Sequence, residues 1–265
     1  MSRDKKLVLK KAIDVEKLRR NYSELRDYKS LIKLYEKKLP HIPDRNTEKF
    51  WDYKNKKYKI TPVTDPMTFD KLNMIANFLC RRDKFSKVLN IGFGSAILEN
   101  IMFKSKCLFN WYGIDISNDS VQKARKVFPE CNFIRSDVKN IDLLNEKFDY
   151  ILAIEVLEHI IPKNILGVLS KINQILATNG VFILSIPLNE GLPELLKRGL
   201  NPNAHVRIYT PDLIKAELDI AGFRIISEDI YIAFQKYYRI KTIICKYLMK
   251  NLRKPNNIVI FAQKK

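Results

Sequence analysis

No run of about 18 uncharged apolar residues occurs in the 265 residues, which excludes a membrane-spanning helix of ordinary length. Arg3 and Asp4 bring charge into the first four positions, a pattern unlike a secretory leader. The four cysteines, Cys80, Cys107, Cys131 and Cys245, form no Cys-x-x-Cys pair, which excludes zinc-ribbon and thioredoxin-type motifs. The expectation is reduced, buried thiols in a cytoplasmic protein. Internal repeats and low-complexity tracts are absent, so a solenoid is excluded too. Histidine is scarce, at His41, His159 and His205, and residues 236–265 hold no acid at all.

That last absence belongs to an uneven charge distribution. Residues 1–65 carry 19 Lys/Arg against 10 Asp/Glu, residues 236–265 carry 9 against none, and the stretch between has 20 against 19. A near-neutral body thus bears two basic ends. Such ends can attract an anionic membrane surface or RNA, or can be lysine-rich solvated faces.

From Lys10 to Leu39 there is neither glycine nor proline, and Leu18, Tyr22, Leu25 and Ile32 recur at near-helical spacing. One long helix or a broken pair is predicted there. Pro40, Pro43, Pro62 and Pro66 punctuate a linker holding Phe50, Trp51 and Tyr53, aromatics expected to anchor on the core. The organisation predicted is a basic helical extension and linker over 1–65 and a main domain over 66–265.

Asp65-Pro66 is a helix start, with Leu72, Ile75, Ala76 and Leu79 as its apolar face. Beyond it, strands and helices alternate. Apolar runs near 87–91, 111–117, 132–138, 148–155 and 181–187 are separated by helical patterns near 95–106, 120–127 and 163–176. This predicts an α/β, doubly wound parallel sheet. The segment after Pro187 is long enough for a lid. Thr210-Pro211-Asp212 then starts a helix that ends at Gly222, and 223–231 and 257–263 read as the last two strands.

The chemistry gathers at the strand ends. Asn90-Ile91-Gly92-Phe93-Gly94 carries the first strand into a helix, where bare backbone N–H groups can meet a nucleotide-like ligand. Asp115 closes the second strand about 20 residues on, the place of a ribose-binding acid. Asp137 and Glu155 close the third and fourth strands.

From about Phe69 to Lys265 this ordered set resembles the class I S-adenosylmethionine (SAM)-dependent methyltransferases. The resemblance implies a seven-stranded Rossmann-like sheet with the N-terminal helical extension outside it. It assigns the methionine part of SAM to Gly92 and Gly94, with Asn90 and Glu155 close by, the ribose to Asp115 and Ile116, and the adenine to Asp137 and Val138. Two positions depart from the family's pattern. Asn90 stands where an acid is usual, and Ala96 where a third glycine is common.

Glu155, Glu158 and His159 fall at i, i+3 and i+4, and as a helix they would share one face. With the distant His205 they make a candidate octahedral site for Mg²⁺ or Mn²⁺. The Glu-x-x-Glu-His run resembles the metal site of small-RNA 3′-end 2′-O-methyltransferases and the corresponding segment of ubiquinone-pathway O-methyltransferases. Three readings stay open: a metal site, a metal-free base at His159 assisted by Glu155 and Glu158, and a structural tie. An alkyl hydroxyl, with a pKa of about 15, needs a positioned base or a metal before it can accept a methyl group. The constellation therefore favours oxygen as acceptor atom.

Arg207 is a candidate clamp for an anionic acceptor or a surface ion-pair residue. Ile240, Ile243, Ile244, Tyr247 and Leu248 form one face of a basic helix that can lie on an anionic membrane or cap the substrate pocket. The expected function is methyl transfer to a hydroxyl of a small-molecule, glycan or lipid-linked acceptor, by a cytoplasmic protein or one peripheral at the membrane. RNA 2′-O-methylation and a non-catalytic SAM-fold binding module are the alternatives.

Overall fold

The computed structural model describes residues 42–56, 65–107, 110–188, 190–234, 237–248 and 254–265. The helix expected between Lys10 and Leu39, and His41, lie outside them. A short helix α1 (Glu48–Lys56) precedes the proline-primed α2 (Pro66–Cys80), whose Asp65 cap accepts the Thr68 amide at 2.7 Å. Then follow β1 (Val88–Ile91), α3 (Ile97–Lys104), β2 (Trp111–Asp115), α4 (Asn118–Val127), β3 (Asn132–Arg135) and β4 (Phe148–Ile154). The second half holds α5 (Pro162–Ile175), β5 (Leu176–Pro187), α6 (Leu192–Lys197), α7 (Pro211–Ile220), β6 (Phe223–Tyr231), α8 (Tyr238–Ile243) and β7 (Asn257–Lys264).

The strands form one seven-stranded sheet in the order β3-β2-β1-β4-β5-β7-β6. The first five are parallel, and β7 runs antiparallel between β5 and β6. The expected doubly wound sheet is present, with an antiparallel hairpin completing it.

Side-chain alternation divides the core in two. Leu89, Ile91, Ile151, Ala153 and Ile260 face one layer, made largely by α5 and α7. Val88, Leu152, Ile183, Val259 and Phe261 face the other, made by α2, α3 and α4. Because both faces are covered, the parallel strands read as continuous apolar runs rather than alternating ones. The C-terminal ends of β1, β2, β4 and β5 share one edge, where ligands bind in open α/β sheets.

The thiol expectation needs correction. Cys80, at the end of α2, is disulfide-bonded to Cys107 after α3, with Cα atoms 5.3 Å apart, while Cys131 and Cys245 are free and buried. Adjacent packing of α2 and α3 brings together two cysteines that are 27 residues apart in sequence.

Candidate active site

The β1–α3 turn is shaped by residues with positive φ. Gly92 has φ +63° and Gly94 φ +55°, and a Cβ on Gly92 would stand 2.8 Å from Val156 Cγ2. Ala96 adopts φ 53° at the start of α3, a conformation that costs an L-residue about 1–2 kcal/mol and suits the glycine common at this position. Asn90 does not act alone. Its Nδ2 donates to Glu99 Oε1 at 2.7 Å, and Trp111 Nε1 donates to the same oxygen at 3.1 Å. Burial pushes the Glu99 carboxyl up to about 7. The acid missing at position 90 thus has a neighbour one helical turn into α3, a relation that i, i+9 spacing does not advertise.

Asp115 ends β2 with its carboxylate already engaged. Oδ2 accepts the Gly94 amide and Oδ1 the Ser117 amide, each at 2.8 Å. Burial raises its pKa to about 6, against the pull of those two hydrogen bonds. The acid therefore ties the glycine turn to the end of β2. Ile116, Asp137 and Val138 line the same cavity. Asp137 also caps the following 3₁₀ turn, accepting the Lys139 amide at 2.9 Å, and β3 has ended two residues earlier, at Arg135.

α1 and the segment before it roof this cleft. Asp52 on α1 accepts the Ser117 hydroxyl at 2.7 Å, Asn55 donates to Ser120 at 2.8 Å, and Glu48 pairs with Arg135 at 2.8 Å. Asn46 donates to the carbonyls of His159 and Ala204, and the Trp51 ring meets the His159 ring edge-on at 5.0 Å. Of the linker aromatics, Trp51 lines the cavity and Tyr53 is 65% exposed, so anchoring on the core describes neither. Polar residues of a proline-punctuated linker carry no periodic signal of such a role.

Glu155, Glu158 and His159 do not share a helical face. Glu155 takes a left-handed conformation with φ 57°, and only Leu157–His159 form a 3₁₀ turn. Glu155 Oε1 instead accepts from Lys71 at 2.7 Å, Ser185 at 2.6 Å and Asn257 at 2.9 Å. Burial opposes its charge, but Lys71 and the three hydrogen bonds prevail and hold its pKa below the usual value. Glu155 Oε1 is thus engaged, and among the described residues Glu155 is not one of the donors that converge. The one hint of its partner in the sequence is a lysine at position 71 beside the apolar face of α2.

The other three do converge. Glu158, His159 and His205 each offer a donor atom within 4.8 Å of the others. The two imidazole rings are 4.8 Å apart, and His205 Nε2 lies 4.0 Å from Glu158 Oε1. Glu158 is wholly buried, with no hydrogen bond to either oxygen among the described residues, and burial followed by the nearby Glu155 charge drives its pKa well up. His159 Nδ1 is likewise buried without a partner, and desolvation, with His205 adding to it, takes the ring down to about 3. Glu190 accepts from His205 Nδ1 at 2.7 Å, which turns the Nε2 lone pair toward the cluster.

The expectation for Arg207 is corrected. Arg207 is 1% exposed and pairs with Glu217, whose other oxygen accepts the Tyr209 hydroxyl at 3.0 Å. The pairing with Glu217 of α7 encloses it away from the cavity, so it clamps no acceptor. Of the basic C-terminal helix, no described residue borders the cavity, and Lys236, Lys250 and Arg253 lie outside the described residues.

One cavity of about 560 Å³ joins the glycine turn, Asp115 and Asp137 to Glu155, His159 and His205, with Glu158 enclosed behind the two rings. The family model for the methyltransferase domain matches residues 35–228. Among solved structures, the chain is similar to a SAM-dependent methyltransferase from Archaeoglobus fulgidus, with 18% identity, TM-score 0.55, and 75% of this chain and 93% of that one covered. It is also similar to magnesium protoporphyrin IX methyltransferase from Synechocystis PCC 6803 with bound SAM, with 15% identity, TM-score 0.55, and 82% and 95% covered. A putative methyltransferase solved with the Haloferax volcanii Trm112 activator gives 13% identity, TM-score 0.57, and 84% and 97% covered. No curated protein matches the sequence. Sheet order, glycine turn and family match agree, and the chain belongs to the methyltransferase-domain family, built on the class I SAM-dependent fold.

Proposed function

We propose that the chain transfers the methyl group of SAM to a hydroxyl oxygen of a small-molecule, glycan or lipid-linked acceptor. The observation that carries this reading is the single cavity linking the glycine turn to the His159–His205 pair. SAM, when bound, supplies a methyl group that needs no further activation. Gly92 and Gly94 leave backbone open to its methionine part, with Asn90 and Glu155 close by. Asp115 and Ile116 stand at the ribose, and Asp137 and Val138 at the adenine. What the protein must add is alignment of the acceptor and removal of its proton.

His159 alone is poorly suited to that second task, since desolvation that takes the ring down to about 3 leaves it free of charge but a weak proton acceptor. Glu158, His159 and His205 fit a divalent cation: two imidazoles and one carboxylate within reach of one point, with both Glu158 oxygens and His159 Nδ1 lacking a hydrogen bond among the described residues. A cation there would lower the pKa of an acceptor hydroxyl. With Glu155 withdrawn, the donor set holds two nitrogens and suits Mn²⁺ better than Mg²⁺, which prefers oxygen ligands.

Calorimetric titration with SAM tests the first half of this reading, and label transfer from methyl-labelled SAM to hydroxyl-bearing acceptors tests the second. Absence of SAM binding would leave a non-catalytic module. The same cluster, together with the basic ends, supports a second reading as an RNA 2′-O-methyltransferase. Steeply salt-dependent RNA binding with label on ribose would select it.

A further inference from the structure

The region between β6 and β7 presents an apolar face to solvent. α8 continues into a single π turn, Ile244–Leu248, and is held from inside by Tyr238 and Cys245, both buried. Outward stand Tyr237, Ile240, Ile243, Tyr247 and Leu248, each between 55% and 77% exposed. Leaving aliphatic side chains in water is unfavourable, and a soluble surface rarely gathers so many on one short helix.

The exposed charges on this segment itself are basic, while the acids Asp65, Asp70 and Asp229 lie on its inner side near the buried Tyr238. Arg239, Lys241 and Lys254 are exposed beside it, and residues 236–265 contain no acid. The crest also has a definite place in the molecule. β6 ends and β7 begins at the edge that holds the candidate site: Asn257, the first residue of β7, bonds Glu155 and borders the cavity. Tyr238 is held near Asp65 and Asp70 of α2, next to Met67 and Thr68 of the cavity wall.

We propose that this crest docks the protein on an anionic lipid bilayer, with Ile240, Ile243 and Leu248 entering the headgroup–acyl boundary and the basic side chains meeting lipid phosphates. Aliphatic tips flanked by cations match that interface chemically. A nucleic acid would pair with the charges but offers little to Ile240, Ile243 and Leu248. Docking in this pose turns the edge that carries the cavity toward the membrane, whichever acceptor the site takes.

Flotation of the full-length chain with vesicles tests the proposal, comparing phosphatidylcholine alone with an equal mixture of phosphatidylcholine and phosphatidylglycerol. Binding is expected on the mixed vesicles only and should fall as salt rises. Arg239→Gln and Lys241→Gln should each weaken it about fivefold, as for one basic residue near an anionic surface. Ile240→Asp combined with Leu248→Asp should reduce it at least about tenfold. Both positions are exposed, and an unchanged thermal melt shows that the variant is folded. Failure to float on mixed vesicles overturns the proposal. So does flotation unaffected by the aspartate pair, which would place lipid binding elsewhere in the chain. RNA binding lost in the aspartate pair, without vesicle binding, would assign the crest to nucleic acid instead.

Discussion

Lys71 Nζ and Glu155 Oε1 meet at 2.7 Å, the lysine 3% exposed on α2 and the glutamate in a left-handed turn after β4. This ion pair joins one helical layer to the C-terminal edge of the sheet. It also separates two acids, because Glu155 Oε1 takes three donors while both oxygens of Glu158, three residues on, have none among the described residues.

Lys71→Met should therefore destabilise the fold by about 1–3 kcal/mol, less than for a fully enclosed pair because Glu155 keeps partial solvent access. The double variant Lys71→Met with Glu155→Gln should recover much of that loss. The Glu155 pKa is lowered in the fold, so its contribution is present above the ordinary carboxylate pKa and is lost as pH falls through the folded value. Urea denaturation at a series of acidic pH values should show that loss in the wild type and little of it in the double variant.

Asp115→Ala should weaken SAM binding roughly 10-fold to 150-fold, the equivalent of about 1.5–3 kcal/mol for a hydrogen bond to a charged group. The same change frees the Gly94 and Ser117 amides, so Asp115→Asn, which keeps an acceptor, should lose less. Calorimetry on both folded variants checks the order. Equal affinity in wild type and alanine variant would remove Asp115 from the ribose site.

The revised ligand set predicts different outcomes for two glutamates. Mn²⁺ binding, followed by the electron paramagnetic resonance of free ion, should be abolished by Glu158→Gln or His205→Ala and nearly unchanged by Glu155→Gln. Glu190→Gln, which removes the orienting partner of His205, should weaken it about 10–100-fold. Chelation should stop methyl transfer while leaving SAM binding intact. Wild-type protein that leaves the Mn²⁺ spectrum unaltered would end the metal reading.

Glu99 makes a pH prediction of opposite sign to that of Glu155. Its folded pKa is raised to about 7 from 4.5, so its favourable contribution is full below about pH 4.5 and is lost as pH rises through 7. Glu99→Gln keeps an acceptor for Asn90 and Trp111 but carries no charge. Above pH 7 it should be more stable than the wild type by about 2–4 kcal/mol, converging with it toward pH 4.5. Chemical denaturation at both ends of this range measures the difference.

The sequence by itself determined the sheet and its edge. Apolar runs such as Val88–Ile91 and Phe148–Ile154 can only be strands covered on both faces, and alternation with helices dictates a doubly wound order, because these patterns rest on local periodicity. Gly92, Gly94, Asp115 and Asp137 were legible for the same reason: each sits at a strand end that the local pattern already marks. Only the tertiary structure decided what those ends touch. That Glu155 belongs to Lys71, Ser185 and Asn257, that Arg207 belongs to Glu217, that Cys80 meets Cys107 and that Trp51 meets His159 edge-on are pairings across 10 to 108 residues of chain. Such contacts are set by how layers dock and by the cost of burying an unpaired polar group. No periodicity along the chain encodes them.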